Sequence, residues 1–177
     1  MTAADSRRRA RADRSGWASA SVVVVAVSSF VLLSACAGGT ASTTTRQDQV
    51  EARGATVMPF EQERATHVFR SSANGGVQRV IAKDPGDTNQ ITLARRHLRK
   101  EAARFRAGDF ADPAAIHGMK MPGLAALRRG ADGIRVVYTA VPGGAQISYT
   151  TEAPQLVAAL HDWFDAQLMD HGANAHG

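Results

Sequence analysis

Gly143-Gly144-Ala145-Gln146, then Thr151-Glu152-Ala153-Pro154, then Val157-Ala158-Ala159-Leu160-His161-Asp162-Trp163 repeats an order of residues met once before in the chain. The earlier copy runs Gly75-Gly76-Val77-Gln78, Lys83-Asp84-Pro85, Leu93-Ala94-Arg95-Arg96-His97-Leu98. Each copy reads as strand, Gly-Gly turn, strand, proline-marked break and a helix carrying a histidine. Thr66 to Ser71 and Val77 to Ala82 are β-prone runs on either side of a glycine-rich turn, as are Ile134 to Ala140 and Ala145 to Thr151. Val136, Tyr138, Ile147 and Tyr149 are expected on one face of the second hairpin.

Working outward, Asp87 can cap a helix that runs to about Ala107 and ends near Gly108, with Ile91, Ala94, Leu98, Ala102 and Phe105 as its apolar stripe. Pro154 suits the first turn of a last helix built on Leu156, Val157, Leu160, Phe164 and Leu168. Asp112-Pro113 and Gly123 to Arg129 can each form a short helical turn between the two units. The simplest way to bury both long stripes is two helices on one side of a four-stranded, mainly antiparallel sheet. The expected fold is therefore α+β, a tandem ββα duplication covering residues 65–172, with a C-terminal tail at 173–177.

Before the domain come an Arg-rich stretch from Ser6 to Arg14, an apolar run from Val22 to Leu33, and Leu33-Ser34-Ala35-Cys36. The apolar run is shorter than the roughly 20 residues of a membrane span. Leu-Ser-Ala-Cys resembles the lipobox of bacterial lipoproteins, which implies a signal peptide at 1–35 and lipidation of Cys36, the single cysteine of the 177-residue chain. The expected address is the cell envelope, with the membrane as partner through that anchor. Removing the leader takes five positive and two negative charges from the formal +5 and leaves +2, too small an excess for a nucleic-acid footprint. Residues 36–64 are rich in Ala, Gly, Thr and Gln, lack periodicity, and are expected to be a flexible tether.

Chemistry is sought first among the six histidines. In His117-Gly118-Met119-Lys120-Met121-Pro122-Gly123 the imidazole and two thioethers alternate, so an extended loop would project them to one side as a soft donor set for copper. His161, with Asp165 one turn on, and His171 in the last helical turn are the candidates to complete that set. The bland alternatives are methionine plugs, a histidine bonded to backbone, and a histidine complementing a helix dipole. His97 has Leu93, Lys100 and Glu101 around it and reads as wetter. Asp109 and Asp112 are explained by a turn and a cap. No nucleophile motif, phosphate loop or His-Glu-x-x-His is present in the sequence.

From Thr66 onward the chain resembles a family of small bacterial secreted or periplasmic proteins. The resemblance rests on Gly75 to Val80, His97-Leu98 with Glu101, Gly108 to Phe110, Asp112 to Gly118, Met121 to Leu124, Tyr149 to Thr151, Ala159 to Gln167 and Asp170-His171-Gly172. Members often bear the name aspartate carbamoyltransferase. The chain is too short for two α/β domains and has no Ser-Thr-Arg-Thr loop, so the name lends it no mechanism. Three functions fit these observations: a lipid-anchored envelope protein binding copper through the His-Met loop; an interaction module contacting an envelope protein through the basic helix and that loop; and a small His-dependent hydrolase or lyase using His117 and His161.

Overall fold

The computed structural model describes residues 38–177, with side chains from Thr45 onward. The expected signal peptide at 1–35 and Cys36 lie outside the described residues. In chain order the elements are α1 (Gly38–Val57), β1 (Ala65–Ser72), β2 (Gly75–Ala82), α2 (Thr88–Arg106), α3 (Ala111–His117), α4 (Leu124–Arg129), β3 (Arg135–Val141), β4 (Gly144–Thr150), α5 (Pro154–His171) and β5 (Ala175–His176).

The fold is α+β, but the sheet has five strands and is mixed, in the order β3-β4-β2-β1-β5. The first four are mutually antiparallel, and β5 adds parallel to β1 through His67↔Ala175 and Val68↔His176. The stretch expected as a tail at 173–177 is thus partly strand. Its cause is the end of α5. Gly172, at φ 52°, turns the chain back so that two residues can reach the free edge of β1.

The register decides which face is buried. Phe69 pairs with Gln78, Gln78 with Ile147, and Ile147 with Tyr138, so these four side chains share one face with His67, Val80, Ala145, Tyr149 and Val136. Both long helices cover that face. Phe105 of α2 meets Tyr149, and Phe164 of α5 meets Phe69. Asp87 accepts from Gln90 N at 3.0 Å and starts α2, as its position predicts. Glycine is obligatory at Gly123, where φ is 72° and a Cβ would lie 2.0 Å from Ala159 O; the loop before α4 touches the α5 backbone there.

The expected tether is a helix over most of its length. Val50 is buried, as are Met58 and Phe60 just beyond α1. The rest of α1's attachment is polar: Arg46 to Asp170, Gln47 Nε2 to Met169 O at 3.0 Å, and Gln62 Nε2 back to Glu51 O at 2.8 Å. A helix with one buried apolar side chain has no stripe to read, so periodicity missed it.

Part of the basic face of α2, though largely exposed, is bonded to the sheet. Arg95 donates to Gly144 O and Val141 O at 3.0 and 2.9 Å, Arg106 donates to Val136 O at 2.9 Å, and Arg99 lies 5.0 Å over the Tyr138 ring. These guanidiniums strap the helix to the β3–β4 hairpin.

Candidate functional site

Helical spacing brings the polar groups together. On α2, His97 and Glu101 are four residues apart and face the same way as Leu98 and Phe105. On α3, Asp112 and Ile116 form one such pair and Pro113 and His117 another. On α5, Trp163, Gln167 and His171 recur every four residues. With Met58, and with His67, Gln78 and Val80 from the sheet, these side chains enclose a cavity of about 40 Å³ between the sheet and the helices. A water needs about 10–15 Å³ of such space, so there is room for roughly three.

One side of the cavity carries an ordered acid–histidine pair. Asp170 Oδ2 accepts from His117 Nδ1 at 2.8 Å, and both side chains are buried. Arg46 holds the same carboxylate with two bonds, 2.5 Å to Oδ1 and 2.7 Å to Oδ2. Burial works against an ionised Asp170, but hydrogen bonds from His117 and Arg46 keep its carboxyl below the usual range. A carboxylate accepting from Nδ1 makes that nitrogen the donor and fixes the orientation of the ring.

Beside this pair three imidazoles make contact. His67 stacks on His171 at 4.5 Å with the planes 5° apart, and His117 meets His171 edge-on at 5.1 Å. Burial, reinforced by the neighbouring rings, lowers the His67 pKa to about 4 and that of His171 well below its ordinary value. The ring of His67 bonds to the Asn174 backbone, while its Nδ1 is buried without a partner.

The opposite side is a carboxyl pair. Burial, then a hydrogen bond to Asp112 and that residue's charge, push the Glu101 carboxyl up to about 8. Asp112 is ionised: burial opposes this, but hydrogen bonds from Glu101 and Arg104 and the charges of Arg104 and Lys100 prevail. Arg104 lies 2.6 Å and Lys100 3.4 Å from Asp112. Glu101 thus carries the proton of the pair, and its buried Oε1 has no hydrogen-bond partner, with Arg104 Nη1 3.7 Å away. His97, lowered to about 4 chiefly by burial, stands near Asp112. Trp163 Nε1 is a further buried donor without a partner.

The expected copper set is not assembled. His117 and His171 adjoin, but Met119 is 63% exposed and Met121 is 5% exposed and packed in the core, so the two thioethers face different surroundings. His161 is elsewhere. Its Nε2 bonds Ser72 O and Gly75 O at 3.0 and 3.1 Å, tying α5 to the β1–β2 turn rather than pairing with His97. Among the described residues, no three His, Cys, Asp or Glu side chains are placed to hold a metal ion.

The sequence assigns no site role to Glu101, Trp163 or Gln167, explains Asp112 as a cap, and leaves His67 free to face either side of its strand; the structure lines the cavity with all five. One signal was present: Glu101 falls three residues after Leu98 and four before Phe105, an acid inside an apolar stripe. The turn expected at Asp109 is present, but Asp112 is not the cap of α3; it lies inside the first helical turn, after an N-cap at Phe110. Asp109 Oδ1 accepts from Ala111 N at 2.9 Å, which frees Asp112 for the cavity.

Over the described residues, fold and site define an α+β unit with a small pocket, lined by both polar and apolar side chains, between sheet and helices. No family, curated protein or solved structure matches the chain. No helix among the described residues is long and apolar enough to cross a membrane.

Proposed function

We propose that this chain is an envelope lipoprotein whose pocket binds a small polar molecule and moves its protons, a hydrolase or lyase in which Glu101 donates and His117 accepts. The observation that carries the reading is that one closed cavity is lined by two proton-handling groups on different helices, each with its own orienting partner. Asp112 sets the state of Glu101, and Asp170 sets the orientation of the His117 ring. Acid–base sites are made by placing titratable groups in contrasting environments. The segments that carry the family resemblance supply His97, Glu101, Asp112, His117, Trp163 and His171, the working part of the wall. The tandem ββα units fit a duplication, because β2 and β4 lie side by side and antiparallel, as a pseudo-two-fold axis between two copies requires.

Turnover of a panel of small amides, esters and hydroxy-carbonyl compounds, followed by proton NMR, tests the chemistry. General acid–base groups contribute about 10²–10⁴-fold. Glu101→Gln and His117→Ala should each slow a turned-over compound by at least about 100-fold, and His161→Ala should leave it unchanged. A panel that is bound but never turned over removes the enzymatic reading, as does full activity of Glu101→Gln.

The anchor is tested separately. A fatty-acid analogue fed to cells should label the protein, and Cys36→Ser should abolish both labelling and recovery in the membrane fraction. An unlabelled wild type, or a Cys36→Ser variant still in the membrane, sinks it.

A further inference from the structure

Every ionised group that borders the cavity is already paired. Asp170 is held by Arg46 and His117. Asp112 is held by Arg104 and Lys100. No lysine or arginine is among the described residues that line the space. An anion entering would shed its hydration with no counter-charge, and a cation would find the one ionised carboxylate of the lining occupied. Either costs several kcal/mol in a dry interior.

What the wall does offer is neutral hydrogen-bonding capacity of both kinds. Trp163 Nε1 is an N–H donor with no acceptor, and Glu101 Oε1 has no hydrogen-bond partner. His67 uses its other nitrogen on the Asn174 backbone, so the unpartnered Nδ1 is a lone pair in need of a donor. A native interior rarely leaves such atoms unmatched, because each one taken from water without a replacement is destabilising. Two of them, on Trp163 and His67, define a complement on one small molecule: an acceptor oxygen for the indole and an N–H for the imidazole.

We propose that the cavity is a binding site for a small, electrically neutral molecule of the carboxamide type, or for the carboxamide end of a longer one. The inference rests on reading the cavity as the functional site, and it names the ligand class that site selects. A planar amide presents C=O and N–H on adjacent atoms, so one group can answer both Trp163 and His67. The apolar surfaces of Leu98, Phe105 and Ile116 take the remaining carbon.

Acetamide, acetate and acetamidinium are nearly the same shape and differ in charge, so they isolate the claim. The full chain is titrated with each while the indole N–H resonances are followed by NMR; Trp163→Phe assigns the Trp163 signal apart from that of Trp17. Acetamide should shift the Trp163 resonance and bind at least tenfold more tightly than either charged analogue. Trp163→Phe should weaken acetamide about tenfold, followed through the His67 ring resonances. His161→Ala, which lies outside the cavity lining, should hold acetamide affinity within about threefold. If acetate or acetamidinium binds as well as acetamide and shifts the same resonance, the neutral-ligand inference is overturned while the pocket reading stands. If none of the three perturbs Trp163 or His67, the pocket reading falls with it.

Discussion

Trp163→Ala should destabilise the domain by about 3–5 kcal/mol, whereas Trp163→Phe should cost less than about 1.5 kcal/mol. Trp163 is fully buried and touches Phe105, Phe110, Tyr149 and Phe164 at ring separations between 5.7 and 5.9 Å. Three of those contacts are edge-on, the arrangement that aromatic quadrupoles favour. Alanine would leave a void with α2, the α3 entrance, β4 and α5 all on its rim, and no single element could collapse into it. Phenylalanine keeps one six-membered ring in the cluster. It also removes an N–H that has no partner, and that relief offsets part of the lost contact. Since typical domain stability is about 5–15 kcal/mol, the alanine variant should sit near the edge of folding. Denaturant unfolding of the three proteins measures this. Equal damage from Phe and Ala would mean that the indole N–H is satisfied in the folded state, and Trp163 would lose its place as a pocket donor.

The contrast between these substitutions shows which layer of the molecule was readable. Phe105 and Phe164 announce themselves by helical spacing, the two hairpins by their Gly-Gly turns, and Asp87 by its cap position. All of these are local signals, decided within a few residues. The site is not local. Asp170 meets Arg46 across 124 positions and His117 across 53, and neither pairing has a period or a motif. The alternation of His117, Met119 and Met121 did carry a geometric expectation, but it presumed an extended loop. His117 instead ends a helix, Gly118 follows at φ 94°, and the three side chains part company. α1 shows the same limit from the other side. Its polar sequence cannot stabilise a helix alone, and it is ordered by Asp170, Met169 O and Gln62. The charged neighbours Lys100 and Glu101 make His97 read as wetter than His161; both histidines are partly buried, but Glu101 itself turns inward and is held protonated there.

Thermal stability should peak near pH 6.5 and fall on both sides, and Glu101→Gln should abolish the alkaline fall alone. On the acid side, the His67 ring titrates near 4 when folded against 6.5 as a free group. Between those values the unfolded chain binds the proton and the folded chain does not, so stability present above pH 6.5 is lost as pH falls toward 4. For this fully buried ring the shift corresponds to about 3 kcal/mol. His97 and His171 act in the same direction, His97 with the charges of Lys100 and Arg104 adding to burial and His171 with those of His67 and His117. On the alkaline side the sign reverses. Glu101 ionises near 8 when folded and near 4.5 when free, so across that window the unfolded chain releases the proton first and stability declines as pH rises, levelling off above pH 8. Below pH 6.5 the three imidazoles outweigh the single carboxyl, which places the maximum where they cease to titrate. Glutamine preserves the shape of protonated Glu101 and can donate to Asp112 as the acid does, but it has no proton to lose. The variant should therefore be flat from about pH 6.5 to 8 and exceed wild type at pH 8 by on the order of 2–4 kcal/mol, while its acid limb becomes steeper than that of wild type, because the opposing carboxyl titration below pH 6.5 is gone. Melting temperatures across pH 4 to 9 provide the measurement. An alkaline limb that survives in Glu101→Gln would assign the titration to another group and strip Glu101 of its role as the proton donor, and an acid limb that vanishes with it would show that the carboxyl and the imidazoles titrate as one coupled unit rather than as the two sides of a divided pocket.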